Sequence, residues 1–405
     1  MKAVSSTLPV TIINGFLGAG KTTLLQSLLV QARDFPDIRL GVIVNEMSEL
    51  DVDGLILDTS EVLSLKDAML IPIPAGSISG PEGLKQFASA VEQLTSNGAT
   101  HIFIETSGST HPWPLLEAIR GHGGIRLHGF LSLVDTVTLA QDHDFGRSIV
   151  PVASRNLAAN TRGIENLLAE QIMFANRILL SKMDRVSSDN LRTVGEAIHP
   201  INPGADILGM QWGNIRLNDV LAMPPYDHAL VETLGAELTE WDEMHGTSSM
   251  ASAADYRIDS IVISDPRPFH PQRLWDVYNH YLGQTVYRSK GFFWLPSRDK
   301  LQLLWNQTAG SVGLGIVNYW KVAALEDESL NLLAEEREEL QRRIAEYSSE
   351  FGDRHCRLTV IGDQDGLETF ADSLRNCFCT PEEIALWKNG HVFEDPWPKT
   401  TAHLV

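Results

Sequence analysis

The sequence predicts an α/β protein in which a parallel sheet with helices on both faces is followed by a smaller α+β unit. Three observations predict it. Apolar runs rich in β-branched residues alternate with helix-period segments through the first half of the chain. A glycine-rich turn separates the first such run from the first helical segment. The composition then shifts over Met223–Tyr256, where Pro224-Pro225 leads into an acidic, Ser/Ala-rich stretch.

The strand-like runs are Val10–Ile13, Leu40–Val44, His101–Ile104, Phe130–Val134 and Arg177–Leu180. Helical patterns follow at Thr23–Val30, Gly83–Leu94 and Ile164–Phe174. Alternation of this kind implies parallel strands joined by crossover helices, with ligands beyond the carboxyl ends of the strands. We expect a first domain over residues 1–225, a linker or flexible loop over 226–255 and a second domain over 256–405. The second opens with the alternating segment Tyr256–Ser264 and includes Gly291–Leu295 and Tyr319-Trp320. A long charged helix is expected from about Glu326 to Glu350, with Leu333, Leu340, Ile344 and Tyr347 on its apolar face and a solvated charged face opposite.

Composition narrows the function classes. With 405 residues, 43% hydrophobic and 21% charged, the chain is a soluble globular protein of two domains with ample core. Its net charge of −20 repels nucleic acid and anionic membrane, which argues against a helicase or DNA-bound ATPase. Only three cysteines, Cys356, Cys377 and Cys379, point to a reducing, cytoplasmic setting rather than a disulfide framework. The glycine-rich turn stands where a signal peptide would be cleaved, and no window approaches 18 apolar residues.

The glycine-rich turn carries the chemistry. Gly15-Phe-Leu-Gly-Ala-Gly-Lys-Thr-Thr23 fills the template G-x-x-x-x-G-K-[ST] between a strand and a helix. Glycines there let backbone N–H groups form an anion nest at a helix N-terminus. Gly15, Gly18, Ala19, Gly20, Lys21, Thr22 and Thr23 are therefore expected to bind a nucleoside triphosphate. Lys21 supplies a point charge to the β- and γ-phosphates, and Thr22 a hydroxyl for Mg²⁺.

Three further segments point to guanine. Glu105, at the end of the strand His101–Ile104, is placed to hold Mg²⁺ or its water, and Gly108 to meet the γ-phosphate through its N–H. On spacing alone an ordinary strand-to-loop turn explains that segment equally well. Ser181-Lys182-Met183-Asp184 fits the pattern N/S/T-K-x-D, in which a carboxylate accepts from guanine N1–H and N2–H₂ and the lysine stem lies along the base. Glu46, Glu49, Asp51 and Asp53 crowd the loop after Leu40–Val44, where a divalent ion or the γ-phosphate would be sensed. An acidic surface loop accounts for that spacing equally.

With these residues in view, the chain resembles the CobW-like P-loop GTPases, often described as metallochaperones. The likeness covers Gly15–Leu25, Val44–Gly54, Ile104–Gly108, Leu133–Asp135 and Ser181–Asp184. It continues through Arg267–Pro271, Arg288–Leu295, Gly352–Arg354 and Asp395–Pro398. It implies a low-turnover GTPase with catalytic Lys21, Glu105 and Gly108, using GTP and Mg²⁺. Its nucleotide state would be coupled to delivery of zinc, cobalt or iron, or to maturation of a client metalloenzyme. Some relatives of similar length activate nitrile hydratase, and the family leaves room for a homodimer.

One departure from the family is large. Members usually carry Gly-Cys-x-Cys-Cys between the acidic loop and the Glu105 strand. The corresponding stretch here is Gly76-Ser77-Ile78-Ser79-Gly80, and serine hydroxyls are poor ligands for soft ions at neutral pH. The His-rich interdomain loop of many relatives is reduced to His245. Cys377-Phe-Cys379 reads as two small semi-buried residues, and Asp142-His-Asp144 as a solvent-exposed loop. Glu46, Glu49 and Asp53 remain the best metal-ligand candidates. The resemblance therefore leaves open a GTPase that matures a metalloenzyme and a nucleotide-gated protein-binding switch that carries no metal. A small-molecule kinase would need no guanine-reading motif.

Overall fold

The computed structural model describes residues 7–45, 68–73, 78–229, 231–232, 235–236, 257–281, 286–308, 311–327, 334–345, 347, 349–398 and 402–403. Contacts divide the chain into two units, 1–258 and 259–405.

In the first unit, β1 (Leu8–Gly15) leads through the glycine turn into α1 (Lys21–Ala32), β2 (Leu40–Asn45) and β3 (Ala68–Ile73). Next come α2 (Pro81–Ser96), β4 (His101–Glu105), α3 (Pro112–Gly121), β5 (Ile125–Asp135) and α4 (Thr136–Asp142). The unit continues with α5 (Ile149–Ala158), α6 (Ile164–Met173), β6 (Arg177–Ser181), α7 (Ser188–Ile198), β7 (Asp206–Gly209) and α8 (Leu217–Leu221). The seven strands form one parallel sheet in the order β3-β2-β4-β1-β5-β6-β7. Its central strands are near-continuous apolar runs because helices cover both faces. Ile13, Leu24, Leu28, Val42, Phe103, Leu131 and Leu179 share one core between α1 and the sheet.

All five runs expected from the sequence are strands, and β3 and β7 add one at each edge. The start of the expected linker packs on the first unit: Tyr226 is buried and its hydroxyl donates to Phe174 O at 2.7 Å. Residues 237–256 lie outside the described residues.

The second unit runs β8 (Ile258–Asp265), α9 (Pro271–Tyr281), β9 (Val286–Phe293), β10 (Leu301–Thr308), β11 (Ser311–Tyr319) and α10 (Lys321–Glu326). It ends with α11 (Ala334–Ile344), β12 (Cys356–Asp363), α12 (Gln364–Arg375), α13 (Pro381–Lys388) and the short β13 (Ala402–His403). The sheet order is β13-β11-β10-β9-β12-β8, antiparallel along β11-β10-β9-β12. Of the helix expected from about Glu326 to Glu350, the described residues show Ala334–Ile344 as helix, and residues 328–333 lie outside the described residues. Asp327 leaves the helical region at φ −91°, ψ 96°, so α10 stops at Glu326 and a separate helix spans 334–344. Aromatic residues dominate the core, where Trp305 lies against Tyr278 at 3.6 Å and Trp397 at 5.3 Å between ring centroids. The side chain of Asp395 accepts from Arg298 Nε at 2.8 Å and Ser297 Oγ at 2.7 Å. That clamp fixes the segment carrying Trp397, whose indole N–H donates to Pro271 O at 3.1 Å.

At the amino-terminal edge of the first sheet, His101 bonds Thr11 Oγ1 at 2.8 Å and meets His128 edge-on at 5.5 Å. Burial, then His128 and Arg126, lowers the His101 imidazole to about 3, and burial lowers His128 as well. Both are neutral in the fold at pH 7, whereas the unfolded chain takes up protons below about 6.5. Their stabilisation is complete above that pH and is lost as pH falls toward 3. Urea midpoints should therefore fall between pH 7 and 4, and His101→Gln should flatten the dependence. An equal slope in the variant would assign the acid sensitivity to other groups.

Candidate nucleotide site

Gly15 ends β1 at a place where no side chain fits. Its φ is +143°, and a Cβ there would stand 2.3 Å from Leu133 O on β5. The chain turns through Gly18 (φ +72°) and Gly20 (φ +95°), backbone that L side chains rarely adopt. Gly20 caps α1 without any side-chain bond, so the first-turn N–H groups face the loop's hollow. Lys21 is buried, and its Nζ donates to Gly15 O at 2.8 Å and Phe16 O at 3.2 Å. The ammonium is thus held within the loop, next to where an anion would neutralise it.

Strand register brings the remaining parts level with this loop. Ile13 pairs with Glu105, and Asp135 with Ser181, at the carboxyl ends of the parallel strands. Thr22 Oγ1 donates to Glu105 Oε1 at 2.6 Å, so the hydroxyl and carboxylate expected to share Mg²⁺ already touch. Oxygen donors of this kind fit a hard divalent ion. Asn14 Nδ2 donates to Thr106 Oγ1 at 2.9 Å and Thr106 N–H to Ile13 O at 3.1 Å, which ties the loop after β4 to β1. A Cβ on Gly108 would stand 2.7 Å from Leu17 N, so that loop presses on the glycine turn itself. Gln171 Nε2 on α6 holds Gly108 O at 3.1 Å.

Ser181–Asp184 forms a tight turn after β6, with Lys182 at φ +54°. Lys182 Nζ donates to Asp135 Oδ2 at 2.6 Å, while Asp135 Oδ1 accepts from Val137 N at 3.0 Å. One carboxylate therefore caps α4 and fixes the lysine stem. Asp184 is left exposed.

Residues 9–209 match the CobW/HypB/UreG nucleotide-binding domain, and residues 258–378 match the cobalamin synthesis protein CobW C-terminal domain. The chain belongs to the CobW family. It is 29% identical to zinc-regulated GTPase metalloprotein activator 1 of Dictyostelium discoideum, over 94% of this chain and 82% of that protein. It is 31% identical to the zinc chaperone CobW of Sinorhizobium sp, over 49% of this chain and 57% of that one. Among solved structures, the Zn(II)-bound YjiA GTPase of E. coli is 17% identical, with 92% of this chain and 100% of that chain covered and a TM-score of 0.34.

This CobW-family chain also holds contacts that no sequence pattern flagged. Asp135 lies in the Leu133–Asp135 stretch noted above, but its link to Lys182 joins residues 47 apart. A second is a buried ionic cluster directly behind the Glu105 loop. Glu170 on α6 meets His111 Nδ1 at 2.7 Å and Arg162 Nη1 at 3.4 Å, and all three residues are buried. Ser79 Oγ donates to His111 O at 2.7 Å, and Ile78 N–H to Asn45 Oδ1 at 3.2 Å. Four segments distant in sequence build this cluster and its supports, so spacing carries no signal for it.

Most of the other expected ligand residues cannot be placed. Glu46, Glu49, Asp51, Asp53, Gly76 and Ser77 lie outside the described residues, whereas Ser79 is buried and Gly80 begins the approach to α2. Asp142 and Asp144 are exposed but His143 is buried, which corrects the expectation of a fully exposed loop. Cys377 and Cys379 are fully rather than half buried, because Cys377 Sγ turns in to Ser373 O at 3.2 Å and Cys379 N–H bonds Pro268 O. Burial pushes both thiols up to about 12, so neither is a thiolate at neutral pH. Among the described residues, no group of three or more His, Cys, Asp and Glu is placed to hold a metal. Also among these residues, no helix is long and apolar enough to cross a membrane.

Glu170→Ala removes the acceptor shared by His111 and Arg162 while both stay buried. It should lower unfolding stability by about 3 kcal/mol, read as a reduced urea midpoint. A loss below about 1 kcal/mol would show that other groups satisfy these two side chains.

Proposed function

We propose that this chain binds and hydrolyses GTP and couples its nucleotide state to the handling of a metal ion or the maturation of a client metalloenzyme. The observation that carries the reading is the joint placement of Lys21, the Thr22–Glu105 pair, Gly108 and Ser181–Asp184 at the ends of neighbouring parallel strands. Thr22 and Glu105 would hold Mg²⁺, which would neutralise phosphate charge when bound. The chain's own part is positioning and charge. Loop N–H groups and Lys21 would take the phosphates, the Gly108 backbone would meet the terminal one, and Asp184 would accept from the guanine edge. Loss of the γ-phosphate would release the contact at Gly108, whose neighbours Gln171 and Glu170 lead to His111 and Ser79.

GTP turnover should exceed ATP turnover, and Lys21→Ala should abolish it. Asp184→Asn should reduce the preference for GTP at least tenfold. Equal turnover of ATP and GTP by the wild type would sink the role of Asp184.

A second reading, a nucleotide-gated protein-binding switch without metal cargo, is favoured by Ser79. Its hydroxyl is buried and committed to a backbone carbonyl where relatives carry thiols. Zinc is named in the descriptions of two relatives and is the ion to test first. One equivalent bound at micromolar or tighter Kd, and changed by GTP, supports metal handling. Sub-stoichiometric millimolar binding supports the switch. Co-purification from the native host would identify the client and would test one of the nitrile-hydratase type.

A further inference from the structure

Between the two halves of the nucleotide site lies a turn that neither half has used. After β7, Met210 N–H bonds Leu180 O at 2.8 Å, and Asn214 N–H closes a turn onto Gln211 O at 2.8 Å. Trp212 and Gly213 occupy its centre at φ +53° and +69°, the sign pattern of a type I′ turn.

The turn is pinned on both sides. A Cβ on Gly209 would stand 2.8 Å from Met183 Sδ, within the Ser181–Asp184 segment. A Cβ on Gly213 would stand 2.7 Å from Thr23 O and 3.0 Å from Leu24 N, in the first turn of α1. Residues 209–213 therefore bridge the turn bearing Asp184 and the first turn of α1, which begins at Lys21. A nucleoside must bridge the same interval, with its base at one end and its phosphates at the other.

Trp212 is 75% exposed, and its ring has no aromatic contact, hydrogen bond or ion pair among the described residues. A single exposed apolar residue needs no explanation. A bulky side chain on left-handed backbone does, because Asn or Gly would occupy that position without strain. Strain kept at a residue that gains nothing from the fold points to a ligand.

We propose that the Trp212 indole is the aromatic wall on which the nucleobase of the bound nucleotide stacks. Asp184 discriminates through the edge of the base, and Trp212 supplies affinity through its face. The inference rests on the guanine-nucleotide reading of the site.

The test uses the full chain and two variants. Trp212→Asn removes the ring but keeps the turn, since Asn-Gly is a favoured type I′ pair. Trp212→Phe retains a π-face. Calorimetric titration with GDP, IDP, ADP and inorganic tripolyphosphate should show Trp212→Asn weakening GDP and IDP alike by about tenfold or more. Tripolyphosphate affinity should stay at the wild-type value, and Trp212→Phe should restore most of the GDP affinity. The change in tryptophan fluorescence on adding GDP should vanish in Trp212→Phe. Wild-type GDP affinity in Trp212→Asn overturns the stacking role and leaves the guanine reading intact. A loss of tripolyphosphate affinity equal to that for GDP overturns it too, by assigning Trp212 to the loop's shape. If wild type binds ADP as tightly as GDP and Trp212→Asn weakens both, the wall stands and the guanine reading fails.

Discussion

Everything in the first unit depends on the register of β1 between β4 and β5. Ile13 stands opposite Glu105 and Gly15 opposite Leu133, while one strand further Asp135 stands opposite Ser181. These pairings level four strand ends, from which separate loops then meet. A slip of one residue would turn alternate side chains to the other face and separate Thr22 from Glu105. The fit of Gly15 enforces the register, because any side chain there would meet the carbonyl of Leu133. The glycine is thus a condition for strand packing as much as for phosphate binding.

Behind the strand ends, the chain carries a buried charge cluster whose existence implies a specific geometry. Removing a carboxylate and a guanidinium from water costs several kcal/mol each, and close pairing only offsets that cost. Glu170 meets His111 and Arg162, and its neighbour Gln171 holds the carbonyl of Gly108. One turn of α6 therefore supports the loop that would sense the terminal phosphate. Through His111, the same turn reaches Ser79. An aliphatic replacement would pack as well, but it would not fix the direction of these backbone groups.

What could be read from the sequence follows the locality of each signal. The glycine-rich loop and Ser181–Asp184 stood out because each is a short run with fixed spacing after an apolar strand, whereas the spacing around Glu105 fits an ordinary turn equally well. Strands β3 and β7 lie at the sheet edges and escaped notice for separate reasons: the apolar run of β3 is interrupted by Pro72, and β7 is only four residues long and mostly exposed. The helix read over about 326–350 was drawn too long, because charge patterning alone does not reveal that Asp327 leaves helical backbone. Asp135 as the partner of Lys182, and the His111–Glu170–Arg162 cluster, join segments far apart in the chain. No local pattern records such contacts.

The clamp of Asp395 on Arg298 and Ser297 has a consequence for biosynthesis. Trp397 fills the centre of the second unit's aromatic core, against Trp275, Tyr278 and Trp305. That core cannot close until residue 397 has left the ribosome, whereas the first unit's sheet needs nothing beyond β7. The two units should therefore mature in sequence, the first during translation and the second only near its completion. In that interval the nascent chain would carry a formed phosphate loop ahead of an open hydrophobic core, the period in which it most needs protection from aggregation.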